Sequence, residues 1–136
     1  MTITYIIISL ISGILFGIMD GLINANPLAR RLYAIYQPIA RTSLNVPVGV
    51  LIDLFYGFVM AGVFLILYTS LPGAPGIVKG VSFALIVWFF RVVMAVASQW
   101  MMYVVPVRSL LYTAIAGSGE MLVIGILYGL TLRPSM

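Results

Sequence analysis

Four uninterrupted apolar runs constrain this chain more than any other feature. Each is longer than the roughly 18 residues that mark a candidate membrane-spanning helix, and together they occupy most of the 136 residues. The predicted helices cover residues 3–25, 46–69, 77–103 and 107–131. Charged residues make up only 7% of the chain, against about 25% in soluble proteins. The sequence therefore predicts one domain, residues 1–136, that is an all-α integral membrane bundle of four transmembrane helices.

The first apolar run has no basic segment before it and no small-residue cleavage site after it. We interpret it as a retained helix and not as a signal peptide. Small residues recur four positions apart in three of the predicted helices, and such GxxxG-like spacing lets helices approach closely in lipid. The candidate helix-packing residues are Gly13, Gly17, Gly21, Gly57, Ala61, Gly125 and Gly129.

Two charges lie deep in the third and fourth predicted helices. Arg91 and Glu120 are both about 20 Å from the turn at residues 104–107 at 1.5 Å per residue, so an antiparallel pair holds them level. A charge at a helix centre costs roughly 2.5–3.5 kcal/mol on insertion scales, which favours an intramembrane ion pair. The pair either fixes the register of the two helices, which we favour, or forms a proton- or substrate-responsive carboxylate gated by the arginine. A third alternative is that one or both charges pair with another protein.

A second polar group collects near the end of the bundle where the first helix ends. Residue counting places all its members in one leaflet, although their faces cannot be read from the sequence. The group consists of Asp20, Asn24, Asp53, Gln99 and Arg108. We favour interfacial side chains that snorkel or cap helix ends. The alternative is a small polar vestibule that opens toward the same end.

Basic residues are concentrated at that end of the predicted bundle. Residues 28–45 form a basic interfacial loop, in which residues 28–36 are either a short amphipathic helix in the headgroup plane or an ordinary loop. The basic residues at this end are Arg30, Arg31, Arg41 and Arg108. The other end carries Lys79 and Arg133. This excess predicts a cytoplasmic basic loop with both termini outside.

Several kinds of chemistry are excluded by composition. Without cysteine there is no disulfide, thiol redox relay or thiolate metal site. Without histidine there is no haem with two histidine ligands and no usual catalytic zinc site. No dense basic cluster indicates nucleic acid, and no catalytic constellation is present, so we expect neither an enzyme nor a metal site. The aromatic run at residues 88–90 and the eight methionines fit lipid-facing surfaces; a bound lipid, quinone or pigment is the alternative to having no cofactor.

The two halves of the chain share two short sequence matches. Val46-Pro47-Val48 has a counterpart in residues 105–107, and Ile66-Leu67-Tyr68 has one in residues 126–128. These matches predict two duplicated hairpins in parallel topology, or they arise by chance between apolar helices.

Three short motifs carry a resemblance over residues 46–132. They are Leu71-Pro72-Gly73, then Lys79-Gly80 with Phe83, then Ser98-Gln99-Trp100 before a proline. This pattern resembles small uncharacterised bacterial four-helix integral membrane proteins, which implies a four-helix membrane fold and brings no activity with it. Length and helix count are also similar to those of small multidrug transporters. Their essential glutamate lies within the first helix, where this chain has only Asp20 near the helix end, so that function is not carried over.

Two functions follow as hypotheses. The leading one is a non-catalytic accessory subunit of the bacterial inner membrane that packs within a larger membrane protein complex and stabilises it. The alternative is a small proton-coupled transporter or channel acting as a homo-oligomer, with Glu120 as the coupling carboxylate and Arg91 modulating it. The expected partners are the lipid bilayer and either other membrane subunits or copies of the chain itself.

Overall fold

The computed structural model describes residues 2–39 and 45–134, and within those ranges the chain is helical with no strand. Its helices are α1 (Thr2–Ala25), α2 (Pro27–Leu32), α3 (Val46–Leu67), α4 (Ile77–Met102) and α5 (Val107–Thr131). By length and composition, α1, α3, α4 and α5 can each cross a membrane. The prediction of an all-α four-helix bundle is confirmed.

Polar, proline and glycine residues set the helix ends close to where the sequence places them. The Asn45 side chain caps α3 by accepting a hydrogen bond from the backbone N–H three residues on, and Pro47 lies in the first turn, where a missing N–H costs nothing. Asn26 caps α2 in the same way. Gly73 and Gly76 both have a φ of +102° in the connection between α3 and α4, a conformation that favours glycine. The long helices therefore end within two residues of their predicted limits.

Two local departures from regular α-helix were not predicted. The last turn of the second apolar run, Tyr68–Ser70, is a 3₁₀ helix. More importantly, Phe89–Val93 forms a π-helical turn within α4, where the N–H of Met94 bonds to the carbonyl of Phe89. The extra residue in a π turn rotates the following part of the helix, and such turns occur often at functional sites.

The α1–α3 pair is held by backbone contact through glycine. A Cβ on Gly57 would collide with the backbone of Ser9 and Gly13, and a Cβ on Gly13 would lie 2.8 Å from the Cα of Leu54. Helices this close gain dispersion energy along their whole contact, which is the main attraction available in lipid. The α1–α3 crossing lies near the middle of both helices.

The α4–α5 pair uses the same device at a different level. A Cβ on Gly80 would collide with the carbonyl oxygen of Gly125, and one on Gly129 with the carbonyl oxygen of Gly76. This contact lies about one turn inside the start of α4, so it is not at the level of the α1–α3 crossing. Duplication of the two hairpins therefore stays a prediction.

An aromatic cluster joins the two helix pairs in the half of the bundle that contains the start of α4. The rings of Phe64 and Phe83 are 5.2 Å apart, and the ring of Tyr128 is 5.7 Å from that of Phe64. All three side chains are fully buried. The Tyr128 hydroxyl donates to Ser12 Oγ at 2.9 Å, so its polar atom is satisfied. This cluster fills the bundle interior at this end.

Lys79 stabilises the connection beside this cluster. Its ammonium group donates to the carbonyl oxygens of Tyr68 at 2.6 Å and Leu71 at 2.8 Å, and it lies 4.8 Å from the Tyr68 ring centroid. A cation at the carbonyl end of a helix is favourable because the last carbonyls have no helical partner. Lys79 is therefore a buried structural residue and not a free interfacial charge.

At the opposite end, the chain after α1 folds across the bundle. A 3₁₀ helix, Ala34–Ile39, follows α2. The Tyr33 hydroxyl is 2.6 Å from Thr113 Oγ1, and the Tyr36 hydroxyl donates to Gln99 Oε1 at 2.7 Å. These bonds attach the interfacial segment, residues 27–39, to both α4 and α5.

The structure of this segment distinguishes between the two alternatives for residues 28–36, a short amphipathic helix and an ordinary loop. It is helical, as a six-residue α-helix followed by a 3₁₀ turn and not as one continuous amphipathic helix. Arg30 and Arg31 are exposed at its surface, and Arg108 is exposed at the same end. Arg41, the remaining basic residue assigned to this loop, lies outside the described residues.

Candidate functional site

Arg91 and Glu120 form an ion pair inside the bundle. The Nη1 atom of Arg91 is 3.3 Å from Oε1 of Glu120, and the two side chains are 31% and 5% exposed. The guanidinium carbon also lies 4.9 Å from the ring centroid of Tyr56 and 5.5 Å from that of Phe16. Arg91 therefore contacts side chains from α1, α3 and α5, so all four long helices meet at this guanidinium.

The π turn and a glycine place Arg91 at this position. Arg91 is the central residue of the π turn, between Phe89 and Val93. Opposite it on α5, Gly117 has no side chain, and a Cβ there would lie 2.8 Å from a methyl group of Val92. The absence of a side chain at Gly117 lets the π turn pack against α5.

All three acidic residues of the chain gather around this guanidinium. Asp20 lines the same cavity as Arg91 and Glu120, and Asp53 is close enough to Arg91 to interact with it electrostatically. We call Asp20, Asp53, Arg91 and Glu120 the charge cluster. Three carboxyl groups face one cation, so full ionisation leaves excess negative charge in a low-dielectric region, which is costly.

A glycine also makes room for the cluster on the α1–α3 side. The Asp53 carboxylate oxygen Oδ2 lies 3.2 Å from the position that a Cβ on Gly17 would take. Gly17 is one helical turn before Asp20 on α1. The absence of a side chain at Gly17 therefore makes room for the Asp53 carboxyl group.

A polar cavity of about 220 Å³ lies between α1, α4 and α5. Arg91 and Glu120 line it in the interior, and Asn24, Tyr33 and Gln99 line it toward the end with the interfacial segment. We call this cavity the vestibule. Because its lining runs from the charge cluster to the interfacial segment, it gives the cluster a polar route toward one end of the bundle.

Tyr33 stands where the interfacial segment meets the vestibule. Burial raises the pKa of the Tyr33 phenol above its ordinary value of 10.0, and this outweighs the opposite effect of the hydrogen bond with Thr113. The phenol is therefore neutral at physiological pH and contributes hydrogen bonding, but no charge, to the vestibule.

A wider apolar groove of about 1220 Å³ separates α1 from the first half of α3. Its walls include Gly17, Gly21 and Gly49, and Asp53 places a carboxyl group in it. A Cβ added at Gly21 or Gly49 would meet no atom within 4 Å. We call this surface the α1–α3 groove.

The structure regroups the polar residues found in the sequence. Residue counting separates Asp20 and Asp53 from the ion pair, whereas both lie beside it in the structure. Counting from helix ends does not include the reach of a side chain. Asn24 and Gln99 line the vestibule. Arg108 is exposed and, within the described residues, lines neither cavity and forms no salt bridge.

The candidate packing residues divide into two groups. Most lie in tight contacts, whereas Gly21 faces open space. The tightly packed members are Gly13, Gly17, Gly57, Ala61, Gly125 and Gly129. Sequence reasoning missed Gly80, the partner of the α5 glycines, although Gly76, Gly80 and Ala84 are spaced four positions apart and could have indicated the contact. Among the described residues, no group of three or more His, Cys, Asp or Glu side chains is arranged to hold a metal ion.

No family model matches the sequence, and no curated protein and no solved structure matches it. The functional argument therefore starts from the charge cluster and its two cavities.

Proposed function

We propose that this protein is a small proton-coupled transporter of a bacterial inner membrane that acts as a homo-oligomer. Glu120 is the coupling carboxylate and Arg91 modulates it. The observation that carries the proposal is the gathering of all three carboxyl groups around one arginine. Ionisable groups within a membrane are costly and mark ion or proton pathways.

Charge balance supports a positively charged coupling species, and we propose that it is the proton. One guanidinium neutralises one carboxylate, so the other two carboxyl groups are stabilised by taking up protons or by a cation from the vestibule. A proton bound by Glu120 leaves Arg91 without its partner, and a proton released restores the ion pair. The two states differ in which side chains hold Arg91, which is a basis for two packings of α4 against α5.

Access to the cluster is one-sided. The vestibule leads toward the interfacial segment, whereas Phe64, Phe83 and Tyr128 fill the interior at the other end. Transport therefore requires a second state in which this aromatic cluster opens. Four helices alone enclose little space, and the open glycine faces at Gly21 and Gly49 fit contact between copies, so we propose a homo-oligomer.

The proposed orientation puts the interfacial segment in the cytoplasm and both termini outside. Arg30, Arg31 and Arg108 are exposed at the interfacial end, as the excess of basic residues on cytoplasmic loops predicts. At the other end, Lys79 is engaged by backbone carbonyls.

Proton flux into liposomes tests the proposal. Purified protein is reconstituted with a trapped pH-sensitive dye, and a potassium diffusion potential drives protons inward. We expect flux above that of empty liposomes, and its loss in Glu120→Gln with oligomeric assembly intact. Arg133→Gln, which removes an exposed charge far from the cluster, is the control and keeps the wild-type flux. Equal flux in wild type and Glu120→Gln would rule out the coupling role.

A second candidate is the accessory subunit, and the α1–α3 groove is the observation that favours it. A groove of about 1220 Å³ with glycines at Gly21 and Gly49 that meet nothing suits a helix of another membrane protein. Gentle extraction of a tagged chain, followed by mass analysis, separates the two candidates. A stoichiometric set of other membrane proteins supports the subunit; copies of the chain alone support the transporter.

A further inference from the structure

The interfacial segment, residues 27–39, is attached to the bundle through one of its faces. The Tyr33 hydroxyl is 2.6 Å from Thr113 Oγ1 on α5, and Ala29 is fully buried. The ring of Tyr33 also lies edge-on to the ring of Tyr112, with centroids 5.5 Å apart. These contacts fix the orientation of the segment, so its remaining exposed side chains form a defined outer face.

This outer face combines two arginines with three large apolar side chains. Arg30 and Arg31 are exposed, and within the described part of the chain neither forms a salt bridge. Three apolar side chains of the segment are also exposed, and they are Leu28, Ile35 and Ile39. We call these five residues the outer face of the interfacial segment.

The sequence supplies no acidic residue to balance these arginines. Residues 21–52 contain neither aspartate nor glutamate. The nearest acidic residues along the chain are Asp20 and Asp53, and they line the vestibule and the α1–α3 groove, respectively. Arg108, which is exposed at the same end of the bundle, adds another positive charge. The outer face is therefore positively charged and is complementary to an anionic partner.

The end of α1 sets the depth of the outer face in the membrane. α1 is long and apolar enough to cross the bilayer and ends at Ala25, and α2 begins at Pro27. The segment therefore starts where a spanning helix leaves the hydrocarbon core, at the level of the lipid headgroups. At this level apolar side chains contact acyl chains while arginines reach the headgroups. Lipid satisfies both kinds of side chain, whereas an acidic soluble protein would satisfy only the arginines.

We infer that the outer face of the interfacial segment binds an anionic phospholipid. Arg30 and Arg31 contact the headgroup, and the apolar side chains of the face contact the acyl chains. Guanidinium groups bind phosphate oxygens through charge-assisted hydrogen bonds, and the net negative charge of the lipid strengthens binding by roughly 5-fold for each arginine. The inference goes beyond the proposed function and does not depend on proton transport.

Lipid bound at this face would also stabilise one wall of the vestibule. Tyr33 lines that cavity, and the Tyr36 hydroxyl donates to Oε1 of Gln99, which lines it as well. An anionic lipid that binds Arg30 and Arg31 holds the segment against α4 and α5. The contacts that close this side of the vestibule are therefore more stable in an anionic membrane than in a neutral one.

Fluorescence quenching by spin-labelled lipids tests the inference. Because the chain has no cysteine, Ala34→Cys at an exposed position of the segment gives a single site for a fluorescent label. The labelled protein is reconstituted in phosphatidylcholine bilayers with a small fraction of spin-labelled phosphatidylglycerol or spin-labelled phosphatidylcholine. We expect the anionic lipid to quench more strongly. Arg30→Gln with Arg31→Gln lowers its affinity relative to phosphatidylcholine by about 25-fold, roughly 5-fold for each arginine.

Matched variants separate the charge of the arginines from a structural role. Arg30→Lys with Arg31→Lys retains the positive charge and keeps most of the preference for the anionic lipid. Arg133→Gln removes an exposed charge at the other end of the bundle and leaves the preference unchanged. High salt weakens the preference, because it screens exposed charges. Loss of the preference on adding inorganic phosphate at constant ionic strength would show that the arginines bind a free anion and would overturn the lipid assignment.

Hydrogen exchange provides a second measurement that needs no label. We expect the backbone amides of residues 27–39 to exchange more slowly in bilayers that contain phosphatidylglycerol than in phosphatidylcholine alone, and Arg30→Gln with Arg31→Gln to abolish this difference. Equal quenching by the two spin-labelled lipids in the wild-type background would overturn the inference and leave an acidic protein as the partner of the arginines. A lipid preference that survives removal of both arginines would overturn it as well.

Discussion

The contact between α4 and α5 at Gly80 leads to a prediction whose size can be worked out from the structure. In Gly80→Ala the new methyl group collides with the carbonyl oxygen of Gly125, so the helices must separate by roughly 1 Å at that point. A gap of that size loses a quarter to a half of the dispersion energy of each atom pair. Overpacking of this kind costs about 1–3 kcal/mol, whereas alanine gains roughly 0.4–1 kcal/mol over glycine where its Cβ fits. We therefore expect a net loss of about 1–2 kcal/mol.

Gly119→Ala is the matched control for this prediction. A Cβ at Gly119 meets nothing within 4 Å, so the same substitution in the same helix pair is neutral or stabilising by roughly 0.4–1 kcal/mol. Unfolding is followed by titrating micelles of mild detergent with a denaturing detergent while the fluorescence of Trp88 and Trp100 is recorded. Equal stability of Gly80→Ala and the wild type would refute the close backbone approach of α4 and α5.

Three further predictions concern polar contacts. Lys79→Met removes two charge-assisted hydrogen bonds to carbonyls and lowers the free energy of unfolding by about 2–3 kcal/mol, measured by the same titration. Tyr33→Phe loses the hydrogen bond to Thr113 and about 0.5–1.5 kcal/mol. Because burial raises the Tyr33 pKa in the folded state, stability falls as pH rises above 10.0, and the phenylalanine variant loses part of this alkaline decrease. In a double-mutant cycle, Arg91→Gln with Glu120→Gln costs less than the sum of the two single changes, because each single change leaves a charge without its partner.

These predictions have their own controls and contradicting results. Arg133→Gln changes an exposed basic residue and shifts stability by less than about 0.5 kcal/mol, against which the Lys79 loss is compared. A Tyr33→Phe variant with the same alkaline loss as the wild type would show that another group causes it. Strict additivity in the Arg91–Glu120 cycle would show that the ion pair carries no coupling energy.

Much of the fold follows from the sequence because the membrane allows few solutions. A run of more than 18 apolar residues must satisfy its backbone hydrogen bonds internally, so helix limits follow from hydrophobicity, from Asn45 with Pro47, and from the glycine turn at residues 73–76. The small residues spaced four positions apart likewise predict the α1–α3 contact, since Gly13 and Gly57 meet where the two backbones touch.

The candidate site was less predictable, because it depends on features without a sequence signal. The π turn that contains Arg91 has no compositional mark, yet it sets the direction of the guanidinium. Asp20 lines the same cavity as Arg91 and Glu120, and counting residues from the helix ends does not indicate this because it leaves out side-chain reach. Lys79 looks like an interfacial charge in the sequence, and only the folded connection shows the carbonyls that bind it.

The central claim is that the charge cluster takes up and releases protons through Glu120. The most direct measurement is the infrared difference spectrum of the reconstituted protein between neutral and acidic pH, compared with that of Glu120→Gln. The account predicts a carboxylic-acid band that grows on acidification in the wild type and is missing from the variant. Identical difference spectra for the two proteins would mean that Glu120 keeps one protonation state in its pair with Arg91, and this would contradict the proposed coupling.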